Sequence, residues 1–133
     1  MQKTEKAGED LISIDGTSET PEVFLNSTEG IIWISGRSLP ENPKIFYTPI
    51  KDWLLEYANK PAPTTHASFK FDYFNTASSK MIMEIIDIIK TVEGNNSKLV
   101  MDWYYQEDDE DMYEAGEDFE AVTGVKINYM PYP

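Results

Sequence analysis

Phe71-Asp72-Tyr73-Phe74-Asn75-Thr76-Ala77-Ser78-Ser79-Lys80 is where one periodicity gives way to another. Upstream, Ala67, Phe69, Phe71 and Tyr73 alternate with more polar neighbours, the period of a half-buried strand. Downstream, Met81 to Val92 is apolar at helical spacing. Asn75, Thr76, Ser78 and Ser79 therefore fall at a helix N-terminus, where backbone N–H groups lack partners. Two readings fit these hydroxyls. One is a generously supplied helix cap, although capping needs only one such side chain. The other is a phosphorylation switch, because a phosphate is well placed at a helix N-terminus. Lys80, one turn on, would then be a counter-ion.

The strand–turn–helix unit repeats on either side. Val23-Phe24-Leu25 and Ile31-Ile32-Trp33-Ile34-Ser35 read as strands joined by the turn Ser27-Thr28-Glu29-Gly30, an antiparallel hairpin. Gly36 to Pro43 is a loop into a helix that runs to about Asn59. Its buried stripe is Ile45/Phe46, Pro49/Ile50, Trp53/Leu54 and Tyr57. Pro49 predicts a kink, or a later start. Lys60-Pro61-Ala62-Pro63 ends that helix, and the strand Thr65–Phe74 follows. After the second helix, Leu99, Met101, Trp103 and Tyr105 alternate in another strand. A third helix covers about Asp108 to Thr123, with Met112, Ala115, Phe119 and Val122 inward. Gly124 is its cap, and Lys126–Met130 a last strand. The order β-β-α-β-α-β-α-β predicts a single α/β domain with a mixed sheet, mostly parallel and joined by right-handed crossovers. Trp33, Trp53, Phe69, Trp103 and Phe119 are the expected buried aromatics. Residues 1–20 are polar and aperiodic and read as a mobile N-terminal arm. Leu11, Ile12 and Ile14 carry only a weak hint of a strand there. Residues 21–133 read as the domain.

Composition narrows the function. The chain has 133 residues, 11 Lys and Arg against 24 Asp and Glu, and a net charge of −13. Nucleic acid as partner is disfavoured, because phosphate binding needs clustered cations. An anionic membrane surface is disfavoured for the same reason. No apolar run reaches the roughly 18 residues of a membrane helix, and no secretory signal is visible. The absence of cysteine removes thiol catalysis and fits a cytoplasmic location. His66 is the single histidine and lies inside a strand. No phosphate-cradling glycine loop or nucleophile elbow is present.

Glu107-Asp108-Asp109-Glu110-Asp111 continues into Glu114, Glu117, Asp118 and Glu120, with no basic residue between. A divalent metal site is disfavoured by spacing, since consecutive acids on a helix point in different directions. Acids in a first helical turn complement the dipole, and the remainder form a solvated face. A surface that docks basic partner residues is the other open reading. Parallel strands should gather this run, the Gly36–Asn42 loop and the Asn75–Lys80 turn at one sheet edge, where open α/β sheets place their sites. The candidate partner contacts there are Arg37, Asn75, Ser78, Ser79, Lys80, Glu107, Asp108, Asp109 and Asp111. No cofactor and no metal is called for. A small carboxylate-based or metal-assisted enzyme at this edge is the rival reading. It lacks a nucleophile–base pair.

Three motifs in order carry a family resemblance. They are Ile34-Ser35-Gly36-Arg37-Ser38-Leu39-Pro40-Glu41-Asn42, Tyr73-Phe74-Asn75-Thr76-Ala77-Ser78-Ser79-Lys80, and Trp103-Tyr104-Tyr105-Gln106-Glu107-Asp108-Asp109-Glu110-Asp111-Met112 through Glu114-Ala115-Gly116-Glu117-Asp118-Phe119. From about Pro21 to Met130 the chain resembles the SiaC family of bacterial regulatory phosphoproteins. That family is similar in fold to STAS domains of the anti-sigma-factor-antagonist type. The resemblance implies a non-enzymatic switch. A serine/threonine kinase of histidine-kinase-like ATPase fold phosphorylates a threonine at the start of the second helix, and a PP2C-type phosphatase reverses this. In the best-known systems the unphosphorylated form activates a diguanylate cyclase, which ties the family to cyclic-di-GMP and biofilm control. On this chain the implied acceptor is Thr76. Ala77 stands where the family pattern has a serine, which removes one secondary site.

Overall fold

The computed structural model describes residues 10–133. Six strands form one sheet in the order β1-β2-β3-β4-β5-β6: β1 Leu11–Ile14, β2 Glu22–Asn26, β3 Ile31–Ser38, β4 Thr64–Phe74, β5 Lys98–Gln106 and β6 Asn128–Tyr132. The first two pairings are antiparallel and the last three parallel. Three helices make the crossovers: α1 Pro43–Asn59, α2 Thr76–Lys90 and α3 Glu110–Thr123. Each crossover steps to the next strand in the same direction, so right-handed connections put all three helices on one face. α1 packs on α2 and α2 on α3 accordingly. The result is a single two-layer α/β domain.

The core lies between sheet and helices. Val23, Leu25, Ile32, Ile34, Ala67, Phe69, Phe71, Met101 and Trp103 supply the sheet side, and Ile50, Leu54, Ile82, Ile85, Ile86 and Phe119 face them. Trp103 is its centre. Its ring meets Phe69 at 5.9 Å, Phe71 at 6.1 Å and Phe119 at 5.5 Å between centroids. Its Nε1–H donates to the Met112 carbonyl at 2.9 Å, which pins α3 to β5. Gly116 lets the helix come that close: a Cβ there would lie 2.7 Å from Trp103 Cδ1.

Five expectations are corrected. The sheet has one strand more than the sequence pattern revealed. Leu11–Ile14 was placed in the mobile arm, yet it pairs with β2 from Leu11↔Asn26 to Ile14↔Val23 and buries Ile12. Four residues are too few for alternation to declare itself; the partner strand supplies the order. Residues 1–9 of the expected arm lie outside the described residues. Trp33 is only half-buried and sits on the helix-free face. There its Nε1–H reaches Glu22 and Ser35, each at 3.2 Å, while Ile32 and Ile34 take the core positions. Tyr73 does not continue the inward set of β4. The register shifts between Gly36 and Arg37, so that Gly36 faces Phe71 but Arg37 faces Tyr73. One extra β4 residue reverses the alternation, turning Tyr73 out (45% exposed) and Phe74 onto the core. In α3, Val122 is exposed and Thr123 is buried instead, its hydroxyl bonded to the Phe119 carbonyl at 2.7 Å. α1 begins at Pro43, capped by the Asn42 side chain on the Ile45 N–H at 3.1 Å. Ile45 and Pro49, expected in its buried stripe, are exposed, and Tyr47 joins Ile50 in facing the core instead.

Candidate functional site

Because β3 to β6 are parallel, their C-terminal ends share one edge, and the N-termini of α1, α2 and α3 open onto it. Antiparallel pairing brings the β1–β2 loop, residues 15–21, to the same edge. Backbone bonds join these pieces: Asn75 N–H to Ser38 O at 3.1 Å, Glu107 N–H to Tyr132 O at 2.9 Å and Leu39 N–H to Glu19 O at 2.8 Å. The edge therefore gathers the Gly36–Asn42 loop, the Asn75–Lys80 turn and the acidic run, and the β1–β2 loop joins them.

The hydroxyl turn divides into separate roles. Asn75 is the N-cap of α2, its side-chain oxygen accepting the Ser78 N–H at 2.8 Å. Thr76 is the first helical residue and is exposed. With the Ser79 N–H taken by the Asn75 carbonyl at 3.0 Å, the N–H groups of Thr76 and Ala77 are left at the open helix end. Ser79 donates its hydroxyl to the Thr76 carbonyl at 2.7 Å. Lys80 is exposed one turn above Thr76.

Ser78 is not a surface contact. It is fully buried, as are Ser38 and Tyr47, and the three hydroxyls form a chain. Ser38 Oγ donates to Ser78 Oγ at 2.9 Å, so its lone pair takes the Tyr47 hydroxyl at 2.5 Å. Helical geometry explains the inward turn: Ser78 shares a face with Ile82, Ile85 and Ile89, all buried. Burial pushes the Tyr47 phenol up to about 12. This chain ties β3, α1 and the first turn of α2 together.

Arg37 lies on the same edge as Thr76. Its Nε donates to the Ser18 carbonyl at 3.1 Å and its guanidinium stands 5.6 Å from the centroid of the Tyr73 ring. The loop and the β4 bulge thus hold this cation in one place, with donors left over for an anion.

The acidic run also splits. Asp109 is the N-cap of α3, accepting the Met112 N–H at 3.0 Å. Glu110 and Asp111 occupy the first turn, where the dipole favours them. Glu107, Asp108, Glu110 and Asp111 are exposed. Among the described residues, no three His, Asp or Glu side chains gather as a metal site. Further along, Glu120 accepts the Tyr129 hydroxyl at 2.6 Å and the Ile127 N–H at 3.0 Å, which holds its carboxyl below the usual range. Burial pushes the Tyr129 phenol upward, and Glu120 adds to the shift. These bonds fix the far end of α3 to the start of β6.

His66 pairs with Asp102 at 2.7 Å, but in register with Ile31 and Val100, near the opposite edge of the parallel strands. Among the described residues, no helix is long and apolar enough to cross a membrane.

Known proteins share this fold. An uncharacterized protein of Pseudomonas aeruginosa (strain UCBPP-PA14) is 25% identical over 108 residues, 81% of this chain and 86% of that one. The solved structure of SiaC of Pseudomonas aeruginosa superposes with a TM-score of 0.83 at 21% identity, over 93% of this chain and all of that one. A complex of the diguanylate cyclase SiaD with its activator SiaC, also from Pseudomonas aeruginosa, matches with a TM-score of 0.83 at 22% identity, over 91% of this chain and 99% of that one. Those likenesses establish the fold. The family follows from the match of residues 14–132 to the SiaC regulatory phosphoproteins, whose role is regulation and not catalysis. The chain belongs to the SiaC family of regulatory phosphoproteins.

Proposed function

We propose that this protein is a phospho-switched adaptor in which phosphorylation of Thr76 controls binding to a signalling partner. The observation that carries the proposal is the sorting of the hydroxyls. Ser78 is buried in the Tyr47 chain, and Ser79 is bonded to the Thr76 carbonyl. Thr76 alone is exposed at the first helical position beside free N–H groups. A phosphate there would add roughly −1.5 to −2 charges. The helix dipole, the N–H groups and Lys80 can hold that charge without a change of fold. The effect then falls on the partner, whose surface must desolvate a phosphate without prepared donors.

The solved relatives support one partner class. A diguanylate cyclase is the partner of the Pseudomonas aeruginosa SiaC, and on this reading a cyclase is the target here. A serine/threonine kinase of histidine-kinase-like ATPase fold writes the mark, and a PP2C-type phosphatase removes it. Arg37, Asn75, Ser79, Lys80, Glu107, Asp108 and Asp111 form the contact edge, in a cytoplasmic protein. Phosphosite mapping of the protein purified from its native host tests this directly. A phosphopeptide placing the group on Thr76 supports the proposal. Phosphate found only elsewhere, or none under any growth condition, overturns it.

A further inference from the structure

Between the end of β5 and the first turns of α3 lies a cavity of about 290 Å³, lined by Tyr105, Glu107, Asp109, Glu110 and Tyr113. A bare run of acids on a helix is a solvated face; this one differs in having aromatic walls. The Tyr105 and Tyr113 rings stand 5.1 Å apart at 56°. Tyr113 is backed in turn by Tyr129 at 5.0 Å, whose hydroxyl is anchored on Glu120. At the rim, the Glu107 and Glu110 side chains have no ion pair or hydrogen bond among the described residues. Asp109 commits one oxygen to the Met112 N–H.

Elsewhere at this edge the chain covers its tyrosines with its own cations. The Lys70 ammonium lies 4.7 Å from the Tyr132 ring centroid, and the Arg37 guanidinium 5.6 Å from that of Tyr73. Among the described residues, no Lys or Arg covers Tyr105 or Tyr113 in this way.

We infer that this cavity receives the guanidinium of an arginine presented by a protein partner. A guanidinium is planar and weakly hydrated, so it stacks on a phenol ring while its donors fan out to more than one carboxylate. An ammonium is a compact hydrated charge and uses the ring less well. A divalent ion would need converging carboxylates, which the described residues do not provide. The volume lies just under that of small-molecule pockets, roughly 300–1,000 Å³, and suits one side chain. A net charge of −13 would draw a basic partner surface toward it.

The inference shares with the switch the reading of this edge as a docking surface, but its test needs neither kinase nor phosphate. The experiment is a titration of the ¹⁵N-labelled full chain with N-acetyl-arginine methylamide, followed by amide shifts. The citrulline analogue (an uncharged isostere) and the lysine analogue serve as comparisons. Expected are saturable shifts confined to residues 105–113 and their neighbours, weaker ones with lysine and none with citrulline. Tyr113→Leu, and separately Glu107→Gln with Glu110→Gln, should each weaken the arginine probe by at least about threefold. Well-dispersed variant spectra show that the fold is kept. Unsaturated shifts spread over the whole acidic surface would overturn the inference. So would equal response to citrulline, or undiminished binding by both variants.

Discussion

Ser38→Ala is the sharpest probe of the scaffold that presents Thr76. Ser38, Tyr47 and Ser78 are each fully buried, and the Ser38 hydroxyl is the middle link. Removing it strips the Tyr47 O–H of its acceptor and Ser78 Oγ of its donor. A satisfied hydrogen bond contributes about 1 kcal/mol, but a buried polar group left without a partner costs about 1–3 kcal/mol. Two such groups put the expected loss at about 2–4 kcal/mol. At this chain length that is a fall in Tm of roughly 10 °C. Tyr47→Phe should cost only about 1 kcal/mol, because Ser38 still donates to Ser78. The double variant should then cost less than the two single losses together by about 1–2 kcal/mol, since Tyr47 is no longer orphaned. Urea unfolding followed by tryptophan fluorescence measures all four proteins, with the slope m unchanged among them. A Ser38→Ala loss under about 1 kcal/mol, or strict additivity, would refute the hydroxyl chain.

Other expectations are of the same kind. Asn75→Ala should cost about 1 kcal/mol through the lost α2 cap while Asn75→Asp retains it, as read by chemical denaturation. Gly116→Ala brings a Cβ to 2.7 Å from Trp103 Cδ1; the crowding, about 1–3 kcal/mol, should exceed the helix-propensity gain of about 1 kcal/mol. Net stabilisation with an unchanged near-ultraviolet tryptophan band would show that α3 does not seat on Trp103. Tyr47 also makes stability depend on alkaline pH. Its phenol is raised from 10.0 to about 12 in the fold, so the folded state holds the proton longer. The contribution is whole below pH 10 and is lost between pH 10 and 12, on the order of 2–3 kcal/mol. Tyr47→Phe should flatten that part of the alkaline unfolding profile.

Long periodic elements were legible from residues alone. The alternation of Ala67, Phe69 and Phe71, and the apolar stripe from Met81 to Ile89, name β4 and α2 because many residues repeat one constraint. The parallel order then follows from chain connectivity, and with it the edge that brings Arg37, Thr76 and Asp108 together. What stayed hidden depends on partners distant in sequence. β1 is ordered by β2, and the β4 bulge is a matter of register against β3, so neither marks its own four or five residues. Ser78 and Ser79 look equivalent in sequence; only the position of Ser38 and Tyr47 separates a buried link from a surface hydroxyl. The β1–β2 loop reached the edge through Arg37 and Leu39, contacts that no local pattern announces.

The central claim is that a charge on Thr76 governs partner binding without unfolding the protein. The most direct measurement is a calorimetric titration of a candidate cyclase from the same host with three forms: wild type, Thr76→Ala, and protein carrying phosphothreonine at position 76. The wild type and Thr76→Ala should bind with similar affinity, and the phosphorylated form at least about tenfold more weakly, a change of about 1.4 kcal/mol. Its Tm should stay within a few degrees of the wild type. Equal affinity of all three forms would mean that Thr76 does no more than begin a helix.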